Sequence, residues 1–316
     1  MADPVQAFRL AILAALPAAR LPDVIEPGRL QRFPTSDRRA DNAGWLKCFA
    51  DMRGGVFGCY RLGLSETWSA ASEVNMTRSQ RAAFARQVGQ AQAERLAEQR
   101  RQWQANAEKV AHLWGQCVPL VPGDPVTLYL KGRGFRGVWP LSPFLRYHPA
   151  LPYWQDGAKL GVFPAMVAPL VNDGRMVALH RTYLTRGGAK ADVPSVKKLT
   201  AAAGSLSGAC IPLHPPRGGA LGIAEGIETA LAAWCASGLP VAAAYCAGNL
   251  AGWHWPDSVQ RLVIFGDHDP AGQEAADTLR ARAIRAGLRV EVQTPTEPGA
   301  DWCDVWAQRG AMGDAT

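Results

Sequence analysis

The sequence predicts an α/β protein whose C-terminal region forms a mostly parallel four-stranded sheet with flanking helices. Three observations predict this class. Short apolar segments alternate with helical segments after Ala220, a long amphipathic segment without Pro occupies the first half, and the N-terminal residues alternate in polarity between turn residues. The chain has 316 residues, 48% of them hydrophobic, which is long enough for two or three structural units with their own cores.

The composition and the positions of Pro and Gly residues predict four segments in the chain. Residues 1–70 form a small β-rich N-terminal unit, residues 71–118 a long helical linker, residues 119–217 a basic α+β subdomain and residues 218–316 the parallel-sheet domain. The stretch from Arg78 to Trp114 contains no Pro and only one Gly, Gly89, so it predicts one long helix with Gly89 as its weakest point.

The C-terminal segment has the most regular pattern. Its predicted strands are 221–224, 241–246, 261–266 and 288–293, and its predicted helices are 227–237 and 271–286. Strands that alternate with helices in this way form parallel sheets, and ligands bind at the carboxyl ends of such strands. In the preceding segment, the residues Asn172 to Arg175 predict a tight hairpin turn between two apolar strands.

The charge of the chain is unevenly distributed. Residues 131–217 contain 12 basic and three acidic residues, whereas residues 218–316 contain six basic and 12 acidic ones. This asymmetry suggests a surface for a polyanion next to a site that collects cations. The alternative is a solvated surface with unevenly distributed charge.

Acidic residues follow the predicted strands of the C-terminal segment. Glu225 follows the first strand, Asp267 and Asp269 follow the third, and Asp301 and Asp304 follow the fourth. Carboxylates that converge at a sheet edge can bind Mg²⁺, which prefers oxygen ligands, and two such ions can support phosphoryl transfer. Any one of these acids could instead cap a helix N-terminus, as Asp269 could before Pro270.

These residues also carry a family resemblance. The strings Ala224-Glu225-Gly226-Ile227-Glu228-Thr229-Ala230, Gly248-Asn249, Gly266-Asp267-His268-Asp269-Pro270-Ala271-Gly272 and Asp301-Trp302-Cys303-Asp304 resemble a TOPRIM domain. Their arrangement is most similar to the primases of phages, plasmids and integrative elements. Upstream strings, including Leu145 to Pro149, Gly161 to Met166 and Leu179 to Leu184, are similar to the segment that precedes TOPRIM in those primases.

The resemblance implies a DNA primase that synthesises short primers from NTPs on a single-stranded DNA template, for replication or transfer of a mobile element. Glu225, Asp267 and Asp269 would be catalytic and would bind two Mg²⁺ or Mn²⁺ ions, with Asp301 and Asp304 as further ligands. Glu228, Gly248 and Asn249 are additional candidates. Glu228 is either part of the site or an acid that faces solvent from its helix.

Six residues of the basic segment are expected to bind nucleic acid or NTPs: Arg146, His180, Arg181, Lys190, Lys197 and Lys198. Lys and Arg neutralise backbone phosphates, and the aromatic residues among them can stack on unpaired bases. The alternative is that the aromatic side chains pack the core and the basic residues form an ordinary surface.

The sequence departs from the full pattern of these primases in two ways. Its seven cysteines form no CxxC pair, so we expect no zinc, and no GxxxxGK[ST] loop is present, so we expect a separate helicase or replication initiator as partner. No apolar segment has the length of a membrane span, and we expect a cytoplasmic bacterial protein without a membrane partner. A TOPRIM nuclease and a non-catalytic protein that binds single-stranded nucleic acid remain as alternatives.

Overall fold

The computed structural model describes residues 3–37, 41–71, 76–135 and 142–313. The chain divides into two compact units. The N-terminal unit contains Met1–Arg101 and Trp154–Ala158, and the C-terminal unit contains Gln102–Tyr153 and Lys159–Thr316.

The N-terminal unit contains helix α1 (Pro4–Ala15), the first part of the long helix described below and an antiparallel sheet of four strands in the order β1-β2-β3-β4. The strands are β1 (Gln31–Phe33), β2 (Gly44–Cys48), β3 (Gly54–Cys59) and β4 (Leu64–Ser69). Gly58 is required where it stands, since an added Cβ atom would lie 2.0 Å from the backbone oxygen of Leu64. The sheet agrees with the β-rich unit that the sequence predicts.

Helix α1 was not predicted from the sequence. Asp3 caps it by accepting a hydrogen bond of 3.0 Å from the backbone N–H of Val5, and Pro4 occupies its first position. Phe8 and Ile12 are fully buried in the same core as Phe57. The helix therefore covers one face of the sheet with a short apolar stripe.

Helix α2 (Arg78–Gly115) is continuous, and Gly89 does not interrupt it. Thr77 and Gln80 form a reciprocal capping box: the Gln80 N–H donates to the Thr77 hydroxyl at 3.2 Å, and the Thr77 N–H donates to the Gln80 side chain at 2.8 Å. Gly89 has open space around it, so its missing side chain costs helix propensity without removing a packing contact.

The first part of the C-terminal unit contains a five-stranded sheet with the order β5-β6-β7-β8-β9. Its elements are β5 (Val118–Pro119), α3 (Pro125–Gly132), β6 (Arg146–Gln155), β7 (Ala158–Asn172), β8 (Arg175–Tyr183) and β9 (Lys197–Leu199). The predicted hairpin is confirmed: Asn172 pairs with Arg175, and Asp173 and Gly174 between them both have positive φ, as a type I′ turn requires.

The second part of the C-terminal unit is the parallel sheet. Its elements are β10 (Ala220–Ala224), α4 (Ile227–Ser237), β11 (Val241–Ala243), α5 (Ala247–Gly252), β12 (Arg261–Phe265), α6 (Pro270–Arg285), β13 (Arg289–Gln293) and α7 (Trp302–Gly313). The strand order is β11-β10-β12-β13, and all neighbouring strands are parallel. The predicted fold class is confirmed.

Both faces of this sheet are covered by core. Along β12, Leu262 and Ile264 belong to one buried cluster, and Val263 and Phe265 belong to another. This alternation is the period of a β-strand, and both sets are apolar because helices pack on both faces. Polar side chains that bind a ligand can therefore lie only at the ends of the strands. Within the part of the chain that the structure describes, none of the helices combines the length and apolar character of a membrane span.

Candidate functional site

The parallel sheet brings Glu225 and Asp267 to one edge. Ala224 at the end of β10 pairs with Phe265 at the end of β12, and each strand is followed within two residues by one of these acids. Asp269 comes next and caps α6, where it accepts a hydrogen bond of 2.7 Å from the Gly272 N–H. The edge is the carboxyl end of the strands, where parallel sheets bind ligands.

The acids at this edge act on one another electrostatically. Burial, together with the negative charges of Glu225, Asp301, Asp269 and Asp304, raises the pKa of Asp267 to about 7. Burial and the charge of Asp269 also raise the pKa of Glu225, against the effects of a hydrogen bond from the Ala247 backbone and of the Lys197 charge. All five predicted acids are thus near enough to contribute to one electrostatic cluster.

Three of these acids also serve as helix caps. Besides Asp269 on α6, Asp301 accepts a hydrogen bond of 2.8 Å from the Asp304 N–H at the start of α7, and the Asp304 carboxylate faces the Asp301 N–H at 3.4 Å. A carboxylate has about four lone-pair positions, and a cap uses one or two of them. Capping and cation binding are therefore compatible at these positions.

The donor set at this edge fits a hydrated divalent cation. In the described ranges, no three Asp, Glu, His or Cys side chains lie close enough together to enclose a metal ion. However, the Asp267 Oδ1 atom is buried without a hydrogen-bond partner among the residues of those ranges, and the surrounding carboxylates repel one another. Mg²⁺ keeps several waters and needs only one or two protein carboxylates besides substrate phosphates. The few carboxylates at this edge are therefore enough to bind it.

Glu228 lies next to this edge in the first turn of α4, and it is 6% exposed. The alternative that it faces solvent is therefore wrong. The Tyr129 hydroxyl donates a hydrogen bond of 2.7 Å to its Oε1 atom, and the Lys197 ammonium donates one of 3.0 Å to its Oε2 atom. These partners outweigh the effect of burial and lower the pKa of Glu228 to about 2, so the carboxylate is ionised.

The six predicted basic residues do not share one surface environment. His180 is buried in β8, and burial lowers its pKa to about 4, so its imidazole is neutral. The Arg181 guanidinium donates a hydrogen bond of 2.5 Å to the Leu199 carbonyl oxygen and one of 3.3 Å to the Tyr183 hydroxyl. In this arrangement His180 and Arg181 support the sheet, which differs from the exposed surface expected for them.

The remaining basic residues are more accessible. Lys190 and Lys197 are exposed, and Lys198 is half-buried with its Nζ atom 4.2 Å from the centre of the Tyr153 ring. The Arg146 guanidinium lies 4.2 Å from the centre of the Trp114 ring and donates to the Trp114 carbonyl oxygen at 3.5 Å. Arg146 and Lys198 thus lie against aromatic rings of this protein.

The side chain of Asn249 forms hydrogen bonds with the backbone around it. Its Oδ1 atom accepts a hydrogen bond of 3.2 Å from the Gly208 N–H, and its Nδ2 atom donates to the carbonyl oxygens of Ala244, at 3.3 Å, and Ala209. Gly248 has open space around its Cα atom. These contacts fit Asn249 as a link between the 208–209 loop and the sheet.

Sequence reasoning missed Tyr129, because α3 was not predicted. A signal for α3 exists in Asp124-Pro125, where Asp124 accepts a hydrogen bond of 2.7 Å from the Thr127 N–H and Pro125 begins the helix. Even with that helix predicted, nothing local to it would indicate a contact with Glu228, which lies 99 positions along the chain.

Comparisons with known proteins identify two segments. Residues 104–211 match the model of a domain of unknown function, DUF7146, and residues 220–312 match the model of the Toprim domain. No curated protein matches the chain.

Several solved structures are similar to the chain at low identity. The primase of Aquifex aeolicus, with its zinc-binding and RNA polymerase domains, is 12% identical with a TM-score of 0.42, covering 100% of this chain and 84% of that one. The primase fragment of the bacteriophage T7 primase-helicase is 17% identical with a TM-score of 0.35, covering 54% of this chain and 67% of that one. A DNA primase domain from Pseudomonas aeruginosa is 16% identical with a TM-score of 0.34 and covers 49% of this chain.

The chain spans 51% of the length of the Pseudomonas aeruginosa domain. The strongest assignment comes from the Toprim match, which covers the parallel sheet, its helices and all five acids at the strand edge. It agrees with the resemblance that the sequence strings carry. Residues 220–312 of the chain are therefore a TOPRIM domain.

Proposed function

We propose that the chain is a DNA primase that synthesises short primers from NTPs on single-stranded DNA by two-metal nucleotidyl transfer, in the replication or transfer of a mobile element. The observation that carries the proposal is the acidic cluster of the TOPRIM domain, in which Glu225, Asp269, Asp301 and Asp304 all raise the pKa of Asp267. Uncompensated carboxylates at a strand edge are suited to divalent cations and to the phosphates these cations bring.

In the proposed reaction, the 3′-oxygen of one nucleotide forms a bond to the α-phosphorus of the next NTP. The bond between the α-phosphorus and its bridging oxygen breaks, and pyrophosphate leaves. Bound Mg²⁺ or Mn²⁺ would supply charge stabilisation for the attacking and leaving oxygens. Glu225, Asp267 and Asp269 would hold the cations, with Asp301 and Asp304 as supporting carboxylates.

Glu225 has a second possible role as the group that accepts the 3′-hydroxyl proton. Its pKa is raised by burial and by the charge of Asp269, which makes it a stronger base than an exposed Glu. The exposed or half-buried residues Lys190, Lys197 and Lys198 would bind template or NTP phosphates, because an ammonium neutralises phosphate whatever the base sequence.

A primer-synthesis assay tests the proposal. The full chain is incubated with single-stranded templates of mixed sequence, the four NTPs with one labelled, and Mg²⁺ or Mn²⁺. We expect short labelled oligomers that disappear on chelation and in the double variant Asp267→Ala plus Asp269→Ala. A template shortened without NTPs would indicate a TOPRIM nuclease instead. Template binding that survives chelation, with neither reaction, would indicate a non-catalytic binding protein.

The double variant needs a control for folding, because Asp269 also caps α6. Losing a cap costs about 1 kcal/mol, which is a minor part of the stability of a domain of this size. Asp277→Ala, an exposed acid within α6, removes one carboxylate from the same helix and should leave synthesis unchanged. Single-stranded DNA binding by the double variant, measured by fluorescence anisotropy, should stay close to that of the unmodified chain.

A further inference from the structure

Glu228 is a buried carboxylate that the reaction as proposed does not use. Both of its oxygens are occupied, one by the Tyr129 hydroxyl and one by the Lys197 ammonium. A charge removed from water is costly unless it is paired and hydrogen-bonded. An apolar residue would fill this place in the core without that cost. Packing alone therefore does not account for a carboxylate at this position.

The two partners of this ion pair differ in exposure. The side chain of Glu228 is 7% exposed, whereas that of Lys197 is 45% exposed. The pair thus anchors a cation whose other side faces solvent. An ammonium has three N–H donors. In the hydrogen bonds between described residues, the Lys197 ammonium uses one of them, in its bond to Glu228. Donors remain for a ligand.

The position of Lys197 brings its ammonium near the acidic edge. Lys197 opens β9, a strand of three residues at the edge of its sheet, where it pairs with Thr182 on β8. Its positive charge acts on Glu225 as well as on Glu228. Glu228 lies in the first turn of α4, which directly follows Glu225 and Gly226, so the ammonium bonded to Glu228 lies near the strand end at which Glu225 begins the acidic cluster.

A lysine on a short edge strand would otherwise sample many rotamers, because its four-carbon side chain is flexible. The ion pair with Glu228 restricts that freedom, and the Tyr129 hydroxyl fixes the Glu228 carboxylate in turn. Tyr129 comes from α3 and Lys197 from β9, outside the TOPRIM domain, whereas Glu228 lies inside it. The arrangement aligns a cation from one segment with acids from the other.

We propose that Glu228 is a positioning residue that holds the Lys197 ammonium at the acidic edge, where the ammonium binds a phosphate group of the incoming NTP. This inference rests on the proposed function and names the substrate contact of the same site. Cations in the cluster attract the triphosphate, and Lys197 supplies a fixed point charge on one of its phosphates. Glu228 and Tyr129 act only through Lys197.

A double-variant cycle on NTP kinetics tests this relationship. Glu228→Gln keeps the shape of the side chain and removes its charge, and Lys197→Ala removes the cation. We expect each to raise the KM for NTPs about tenfold, with a smaller change in kcat. The combined variant should be no worse than Lys197→Ala alone, because Glu228 has no route to the substrate except Lys197. Additive effects, or an unchanged KM in Glu228→Gln, would overturn the proposal.

Two further variants separate positioning from folding. Tyr129→Phe removes one hydroxyl from the same network and should raise the KM in the same direction by a few-fold, even if Glu228→Gln folds poorly. Glu291→Gln is the matched control, because Glu291 forms an exposed ion pair of 3.1 Å with Arg261 in the same domain. It should leave KM and kcat unchanged. A general loss of fold would lower kcat in all variants without this selectivity.

A chemical measurement that does not depend on primer synthesis completes the test. Trace acylation of lysines, read by mass spectrometry, measures the accessibility of each amine with and without ATP and Mg²⁺. We expect ATP to protect Lys197 at least threefold in the unmodified chain and not in Glu228→Gln. Protection without primer synthesis would contradict the proposed function and leave this inference standing. Primer synthesis without protection of Lys197 would overturn the inference alone.

Discussion

The hydroxyl of Tyr129 donates a hydrogen bond of 2.7 Å to the buried carboxylate of Glu228, which lies 99 positions further along the chain. Tyr129 lies within the DUF7146 match and Glu228 within the Toprim match. The same carboxylate accepts a hydrogen bond from Lys197, also outside the TOPRIM domain. A single buried charge therefore holds together residues from both matched segments.

We expect Tyr129→Phe to lower the free energy of unfolding of the C-terminal unit. The variant leaves the buried Glu228 carboxylate with one unsatisfied oxygen, which costs about 1–3 kcal/mol. Urea denaturation followed by circular dichroism measures the change. Tyr147→Phe is the control, since the Tyr147 hydroxyl makes no hydrogen bond to another described residue. Equal losses in both variants would show that the hydroxyl of Tyr129 has no special role.

The stability of the protein should depend on the protonation of His180. Burial, then the charges of Lys197 and Arg181, lower its pKa to about 4, against the opposing effect of Glu228. The unfolded chain binds a proton at this residue below about pH 6.5, and the folded chain does not. Stability should therefore fall as the pH decreases from about 6.5 to about 4.

Thermal unfolding at a series of pH values measures this dependence. His180→Gln removes the titrating group and should give a flatter profile between pH 6.5 and 4, whatever its effect on absolute stability. His112→Gln, at an exposed position on α2, should keep the profile of the unmodified chain. The contribution of Glu228 falls in a lower window, since its pKa is lowered to about 2 and its stabilisation is lost from about pH 4.5 downward. Identical profiles for His180→Gln and the unmodified chain would contradict the assignment.

Replacing Asp267 should stabilise the metal-free protein. The Asp267 carboxylate is partly buried near Glu225, Asp269, Asp301 and Asp304, and its Oδ1 atom has no hydrogen-bond partner in the part of the chain that the structure describes. Asp267→Asn removes one charge from this repulsive cluster, so its melting temperature at pH 8 in a chelator should exceed that of the unmodified chain by a few degrees. Added Mg²⁺ should stabilise the unmodified chain more than the variant. A lower melting temperature for the variant in chelator would contradict the repulsion.

In the absence of NTPs, the charges of Lys197 and Lys198 should contribute to binding single-stranded DNA. Lys197→Ala plus Lys198→Ala removes two charges that can neutralise backbone phosphates, so affinity should fall and the plot of log affinity against log salt should become less steep. The expected change in slope is about 0.7 for each lost phosphate contact. Fluorescence anisotropy at several salt concentrations measures it. Lys159→Ala, an exposed lysine elsewhere in the C-terminal unit, should change the slope less; an unchanged slope in the double variant would exclude both lysines from the interface.

The parallel sheet could be predicted because its information is local. The central strands β10 and β12 are short apolar runs followed by Glu225 and Gly266, and helix α4 ends at Gly238 in the left-handed conformation. The acids at the strand ends followed from the topology, since parallel strands expose their carboxyl ends on one edge. The helices α1, α3, α5 and α7 were missed. Of these, α3 and α5 have only eight and six residues, which are too few to give a clear helical period.

The pairing within the site could not be predicted from the sequence. His180 and Arg181 have the composition of a nucleic-acid surface, yet His180 is buried and the half-buried Arg181 donates a hydrogen bond to the Leu199 carbonyl oxygen of β9. Glu228 has the position of a solvent-facing helix acid, yet α3 and Lys197 cover it. These outcomes depend on contacts between residues far apart in the chain, which no local pattern encodes.

Titration of the full chain with Mn²⁺, followed by electron paramagnetic resonance of the free ion, tests the central claim most directly. The acidic cluster predicts saturable binding by the unmodified chain, which Asp267→Ala plus Asp269→Ala loses while Asp277→Ala retains it. Equal Mn²⁺ binding by the unmodified chain and the double variant would contradict the assignment of a cation site to this edge of the sheet.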